Sequence, residues 1–177
     1  MKVLSFIGYS DSGKTTTIEL VIKELVRRGY RVGSVKEIHN EAFALDANPT
    51  SDTHRHRAAG AELVTAKGLT EIDIMFYEKI DIKRILEFYI GCDFVICEGV
   101  WDAAIPIILT GSTVEDLENK LAEKDDDPSA NWSDLVFCVS GRIADEISEY
   151  KGRPAISAIT DITTLVSLIE AKMSESS

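Results

Sequence analysis

The sequence predicts an α/β domain built on a largely parallel sheet. Apolar runs of strand length alternate with stretches whose apolar residues recur at helical spacing. The first strand, helix and second strand fall within about forty residues, a βαβ unit whose crossover requires parallel strands. The 177 residues, 45% of them hydrophobic, suit one core.

In chain order, "KVLSFIG" is a short apolar run closed by glycine, which reads as a buried strand. "TTTIELVIKELVRRG" is helical, with Ile18, Val21, Ile22, Leu25 and Val26 on its apolar face and Gly29 as its stop. "YRVGSVKEIH" is the second strand. "HNEAFALDANPTSD" has no period and reads as a loop that nucleotide can order. "DTHRHRAAGAE" begins a helix with Asp52 as its cap.

"LVTAKG" and "IDIMFYE" are strand-like, and "DIKRILEFYIG" is a helix with Asp81 at its cap. "CDFVICEG" is the most apolar strand and ends in an acid and a glycine. "IPIILTG" is a further strand, "TVEDLENKLAEK" an amphipathic helix, and "DDDPSANWSD" an acidic surface loop. "LVFCVSG" and "PAISAI" are the last strands. "DITTLVSLIEAKM" closes a single domain over residues 1–173, leaving 174–177 as a disordered tail.

The net charge is -11, a field that repels nucleic acid and acidic lipid. No window has the length and purity of a membrane span. Cys92, Cys97 and Cys138 form no C-x-x-C pair and read as reduced thiols of a cytoplasmic protein.

Gly8-Tyr9-Ser10-Asp11-Ser12-Gly13-Lys14-Thr15 fits G-x-x-x-x-G-K-[ST] without a gap, between a strand and a helix. The glycines let the backbone curl so that N–H groups point at phosphate oxygens. The helix after Gly13 adds its positive end. Lys14 reaches the β- and γ-phosphates, and the Thr15 hydroxyl is placed for Mg²⁺. Thr16 either touches the α-phosphate or only makes the first helical turn polar. Asp11 either points outward or weakens anion binding. The expected fold sharpens to a P-loop NTPase-like three-layer domain.

Such a site needs a carboxylate at the end of a neighbouring apolar strand. Glu98 supplies it. Lys36 and His39 end the second strand, at the sheet edge where ligands collect. Asp46 and Asp52 flank "ANPTS"; each either approaches the γ-phosphate and metal or serves as solvated acid or cap. His54 and His56 read as an exposed helical face, while Arg57 can bind an anion. No N-K-x-D stretch follows the later strands, so ATP and GTP both remain open on these grounds.

Together the segments "FIGYSDSGKTTTIELVIKELVRRGYRVGSVKEIH", "SDTHRHRAAGAE" and "FVICEGVWDAAIPII" resemble the MobB family, the molybdopterin-guanine dinucleotide biosynthesis adaptor proteins. The most specific part is D-[ST]-x-x-x-R-x-A-G-A, fitted by Asp52, Thr53, Arg57, Ala59, Gly60 and Ala61, followed by a strand ending in "EG".

The resemblance implies a homodimeric P-loop protein that binds GTP with Mg²⁺ and hydrolyses it weakly. It also implies a partner, the guanylyltransferase that attaches GMP to molybdopterin. Residues Gly8 to Thr15 would bind phosphate, Thr15 and Glu98 the metal, with Lys14 and Glu98 as the catalytic groups and Arg57 near them. The chain departs from the family where Glu37 and Asn40 replace frequent histidines, and where Ile107 replaces a lysine. The alternatives are an ATP-dependent small-molecule kinase or ligase, and a nucleotide-switched metal-insertion chaperone.

Overall fold

The computed structural model describes residues 1–38, 48–124 and 126–175. They form two compact units, Met1–Glu37 with Tyr89–Ser177, and Ile38–Phe88. The elements run β1 (Lys2–Ile7), α1 (Lys14–Arg27), β2 (Val32–Lys36), α2 (Asp52–Ala58), β3 (Leu63–Lys67), β4 (Ile72–Phe76) and α3 (Ile82–Leu86). They continue with β5 (Phe94–Glu98), β6 (Ile107–Thr110), α4 (Val114–Ala122), α5 (Trp132–Leu135), β7 (Val136–Ser140), β8 (Glu149–Tyr150), β9 (Arg153–Pro154) and α6 (Ile162–Glu175).

The first unit holds a five-stranded sheet in the order β2-β5-β1-β6-β7, with every pair parallel. Strand alternation sends Leu4 and Phe6 of β1 to one face and Ile7 to the other. On the first face they pack with Phe94, Ile96, Ile108 and Cys138 beneath α1 and α6. On the second, Ile7, Ile107, Leu109 and Val139 pack beneath Leu117 of α4 and Trp132. Both faces are covered, which is why these strands read as continuous apolar runs. The α/β, P-loop NTPase-like expectation holds for this unit.

Several local expectations change. Val26 is 55% exposed, because the buried stripe of α1 runs through Ile18, Val21 and Leu25. Trp132, expected in a surface loop, opens α5 and is buried. "PAISAI" forms no full strand: Pro154 ends β9, and Ala155 makes a single bridge to Val139. Ser140 Oγ, from β7, instead caps the Ile156 carbonyl at 2.7 Å. Helix α6 extends to Glu175, so Ser174 and Glu175 are helical where a tail was expected.

The second unit contains α2, the antiparallel pair β3–β4, and α3. Ser51, not Asp52, caps α2: its Oγ accepts from the His54 N–H at 3.1 Å. Asp52 is the first helical residue. Asp81 does cap α3, accepting from the Arg84 N–H at 2.8 Å, but the helix is short and passes into a 3₁₀ turn at Glu87–Tyr89.

Candidate phosphate and metal site

The loop between β1 and α1 is shaped by close approaches. A Cβ on Gly8 would lie 2.2 Å from Thr110 Oγ1 and 2.3 Å from the Thr110 carbonyl, so only glycine fits. Gly13 takes φ 85° at the start of α1. Asp11 also sits in the left-handed region, φ 62°, which a short polar side chain tolerates better than most. Its side chain is exposed, while its carbonyl accepts from Ser112 Oγ at 3.1 Å. The loop conformation thus accounts for Asp11, and its acid faces solvent.

The loop is also tied from outside. Ser12 is buried, and its Oγ lies 2.9 Å from Thr110 Oγ1. The Thr110 hydroxyl donates to the Ile7 carbonyl at 3.1 Å, so Ser12 is the donor between the two hydroxyls. Arg142 N–H donates to the Ser12 carbonyl at 3.0 Å. These contacts engage the loop through its Ser12 hydroxyl and carbonyl, while the Ser12 N–H turns inward to the Tyr9 carbonyl at 3.4 Å.

Glu98 ends β5 beside this loop. Its Oε1 accepts from Thr15 Oγ1 at 3.3 Å and from Lys36 Nζ at 3.1 Å, and lies 3.8 Å from Lys14 Nζ. Lys14 also donates to the Gly8 carbonyl at 3.2 Å. Burial pushes the Lys14 ammonium below the usual lysine value; Glu98 opposes this, and Lys36 and Lys120 reinforce it. The strand end is held by Ser5 Oγ, which donates to the Val100 carbonyl at 2.6 Å, and by Gly99 N–H on the Phe6 carbonyl at 3.0 Å.

Lys14, Thr15, Lys36 and Glu98 therefore converge. Ser10 and Thr16 are exposed on the loop and first helical turn, and Tyr9 lies under Lys120, whose Nζ is 4.7 Å from the ring centroid. His39 and Asp46 lie outside the described residues. Asp52 and Arg57 belong to the second unit: Asp52 is exposed and paired with Arg55 at 3.1 Å, and the Arg57 guanidinium lies 4.2 Å from the Tyr77 ring centroid. His56 is exposed, but His54 is half-buried, and its Nδ1 has no partner among the described residues.

Sequence reasoning missed Thr110, Arg142 and Lys120. A usable signal existed for the first two: "ILTG" and "CVSG" are apolar strands ending in a hydroxyl residue and glycine, at the carboxyl edge where ligands bind. Cys97 and Cys138 are buried, which pushes both thiols up to about 12.

The family model for MobB, molybdopterin guanine dinucleotide synthesis protein B, matches residues 3–130. A Bacillus subtilis (strain 168) relative named "Probable molybdopterin-guanine dinucleotide biosynthesis adapter protein" is 25% identical over 158 residues, covering 88% of this chain and 85% of the relative. A Methanocaldococcus jannaschii relative, named a putative adapter protein of the same biosynthesis, is 34% identical over 105 residues, 58% of this chain and 42% of its own length. The crystal structure of Bacillus subtilis MobB superposes with a TM-score of 0.70 at 23% identity, over 98% of both chains. That of a MobB homolog from Bacillus stearothermophilus gives 0.66 at 21%, over 97% of both. These two likenesses show the fold.

Proposed function

The chain belongs to the MobB family, and from that premise we propose that it is a GTP-binding accessory protein of molybdenum cofactor biosynthesis. It would assist the guanylyltransferase that forms molybdopterin guanine dinucleotide. The observation that carries this is the meeting of Lys14, Thr15 and Glu98 at a glycine-shaped loop, in a chain matched by that family over most of its length.

Thr15 Oγ1 and Glu98 Oε1 are two hard oxygen donors 3.3 Å apart. They suit Mg²⁺, which takes few protein ligands and completes its shell with water and phosphate. Bound there, the ion would neutralise charge on the β- and γ-phosphates. The chain's own residues do the rest. Loop N–H groups orient the phosphates, Lys14 sets a desolvated cation against them, and Lys36 steadies the Glu98 carboxylate. The chain has no glutamine to orient an attacking water. Slow hydrolysis follows, with the nucleotide serving chiefly as a loaded ligand.

The homodimer finds support in the second unit. Leu63, Ile72 and Ile74 of the β3–β4 pair are 50%, 58% and 45% exposed, and a two-stranded sheet leaves both edges free to pair.

Titration with Mg·GTP and Mg·ATP, followed by a guanylyltransferase assay with and without this protein, tests the reading. We expect preference for GTP and faster dinucleotide formation. Lys14→Ala should remove both with the melting temperature little changed. A strong preference for ATP, or no effect on the transferase, overturns it.

A further inference from the structure

The phosphate site has a direction. Glu98 and Lys36, at its metal end, stand on β5 and β2. The strand order places β6 and β7 on the other side of β1 and its loop. A nucleotide with its γ-phosphate toward Glu98 therefore carries its nucleoside over the carboxyl ends of β6 and β7.

The turn after β7 stands at that place and is fastened to the phosphate loop. Arg142 N–H binds the Ser12 carbonyl at 3.0 Å, and Ile143 N–H binds the Gly111 carbonyl at 2.9 Å. A Cβ on Gly13 would lie 3.3 Å from Gly141 Cα and 3.4 Å from Arg142 Cγ. Residues Arg142–Asp145 form a 3₁₀ turn, in which side chains three apart eclipse each other. Arg142 and Asp145 thus share a face, while Ile143 between them is buried in the core. Both charged side chains are exposed. Opposite charges at this spacing commonly pair, yet neither makes a side-chain hydrogen bond or ion pair among the described residues.

We propose that Arg142 and Asp145 read the guanine base. This rests on the nucleotide reading above and deepens it. Guanine presents its N1–H and N2 amino donors on one stretch of edge and its O6 and N7 acceptors on the next. A carboxylate accepts from the first pair, and a guanidinium donates to the second. Adenine offers an N1 acceptor and an N6 donor instead, so it sets acceptor against carboxylate and donor against guanidinium. The sequence R-I-A-D also keeps an acid three residues after the turn begins, as N-K-x-D does, with arginine in place of asparagine.

Affinities for GTP, ITP, XTP, ATP and inorganic tripolyphosphate, all with Mg²⁺, test this on wild type, Asp145→Asn and Arg142→Ala, with circular dichroism as the check on folding. Asp145→Asn should weaken GTP by about tenfold to a hundredfold and strengthen XTP, because the amide now donates to xanthine O2. Arg142→Ala should weaken GTP and ITP alike by about tenfold or more, leaving ATP and tripolyphosphate unchanged. Folded variants that keep wild-type GTP selectivity, or Asp145→Asn without any gain for XTP, overturn the proposal and leave nucleotide binding standing. A wild type that binds neither tripolyphosphate nor any nucleotide overturns both readings.

Discussion

The two units of this chain use similar apolar residues to opposite ends. The sheet unit buries Leu4, Phe6, Ile7, Phe94, Ile107, Ile108, Leu109 and Ile169 completely. In the second unit, Val64 is the one large apolar residue buried among those described, while Leu63, Leu69, Ile72, Ile74 and Phe88 are exposed. The difference is architectural. A parallel sheet covered on both faces has an interior. A two-stranded ribbon with a seven-residue helix does not, and neither is stable alone in water. The Phe76–Phe88 ring pair, with centroids 5.6 Å apart, and the Arg57–Tyr77 stack are local clasps rather than a core. The sheet unit thus carries its own stability, and it holds the residues proposed to bind phosphate. The second unit carries the family's most specific motif on a scaffold suited to association.

The largest test of that contrast is a matched truncation. Phe6→Ala, at the fully buried penultimate position of β1, should cost about 3–5 kcal/mol in chemical denaturation, while Ile74→Ala should stay within about 0.5 kcal/mol for the monomer. Equal costs would dissolve the distinction. Next comes the tie between core and loop. Thr110→Val keeps shape but deletes the hydroxyl that serves both Ile7 and Ser12. We expect a loss of about 1–3 kcal/mol from the stranded buried partners, with weaker nucleotide binding in the same titration. Retained affinity would show that the loop holds its form without the Thr110 hydroxyl. For the second unit, the proposed homodimer supplies the test: Ile72→Lys with Ile74→Lys should leave the melting temperature of dilute protein unchanged and abolish the dimer that sedimentation of the wild type is expected to show. A dimer that survives both lysines places the interface elsewhere.

The fold was legible wherever a rule is local. Strands β1, β5, β6 and β7 announced themselves as apolar runs, and Gly8 to Thr15 as a motif whose spacing is itself the mechanism. Glu98 was legible because an acid ending an apolar strand is unusual. Long-range facts stayed hidden. Trp132 sits in a polar, acidic stretch, and only the packing of β6 and β7 shows that it is core. Asp52 looked like the cap because the hydrogen bond of Ser51, one residue earlier, depends on backbone angles that composition does not reveal. Val26 matched the helical period but lies at the edge of the buried stripe, where a shift of one position changes its fate. Thr110 is 98 residues from the Ser12 it supports, and no spacing rule links them. The Arg142–Asp145 turn holds neither asparagine nor lysine, so no familiar base-reading motif marks it in the sequence.

The smallest predicted effect separates the units by acid. Glu24 of α1 accepts from Arg27 at 2.6 and 2.7 Å and from Arg28 at 2.9 Å, and Arg28 also binds Glu170 of α6. The hydrogen bonds from Arg27, then Arg28, hold the Glu24 carboxyl down to about 2, against about 4.3 for a free glutamate. A carboxylate whose folded value is depressed contributes stability above its unfolded value, and loses it as pH falls through the folded one. The gap in melting temperature between wild type and Glu24→Gln should therefore be full at pH 7, shrink below about pH 4, and close near pH 2. Asp52 is also ion-paired, with Arg55, but both side chains are open to solvent at 84% and 72%, where such pairs contribute little. Asp52→Asn should show no comparable gap at any pH. If it matched the Glu24 profile, exposed pairing in the second unit would be worth as much as the α1–α6 clasp, and the second unit would hold more intrinsic stability than its burial implies.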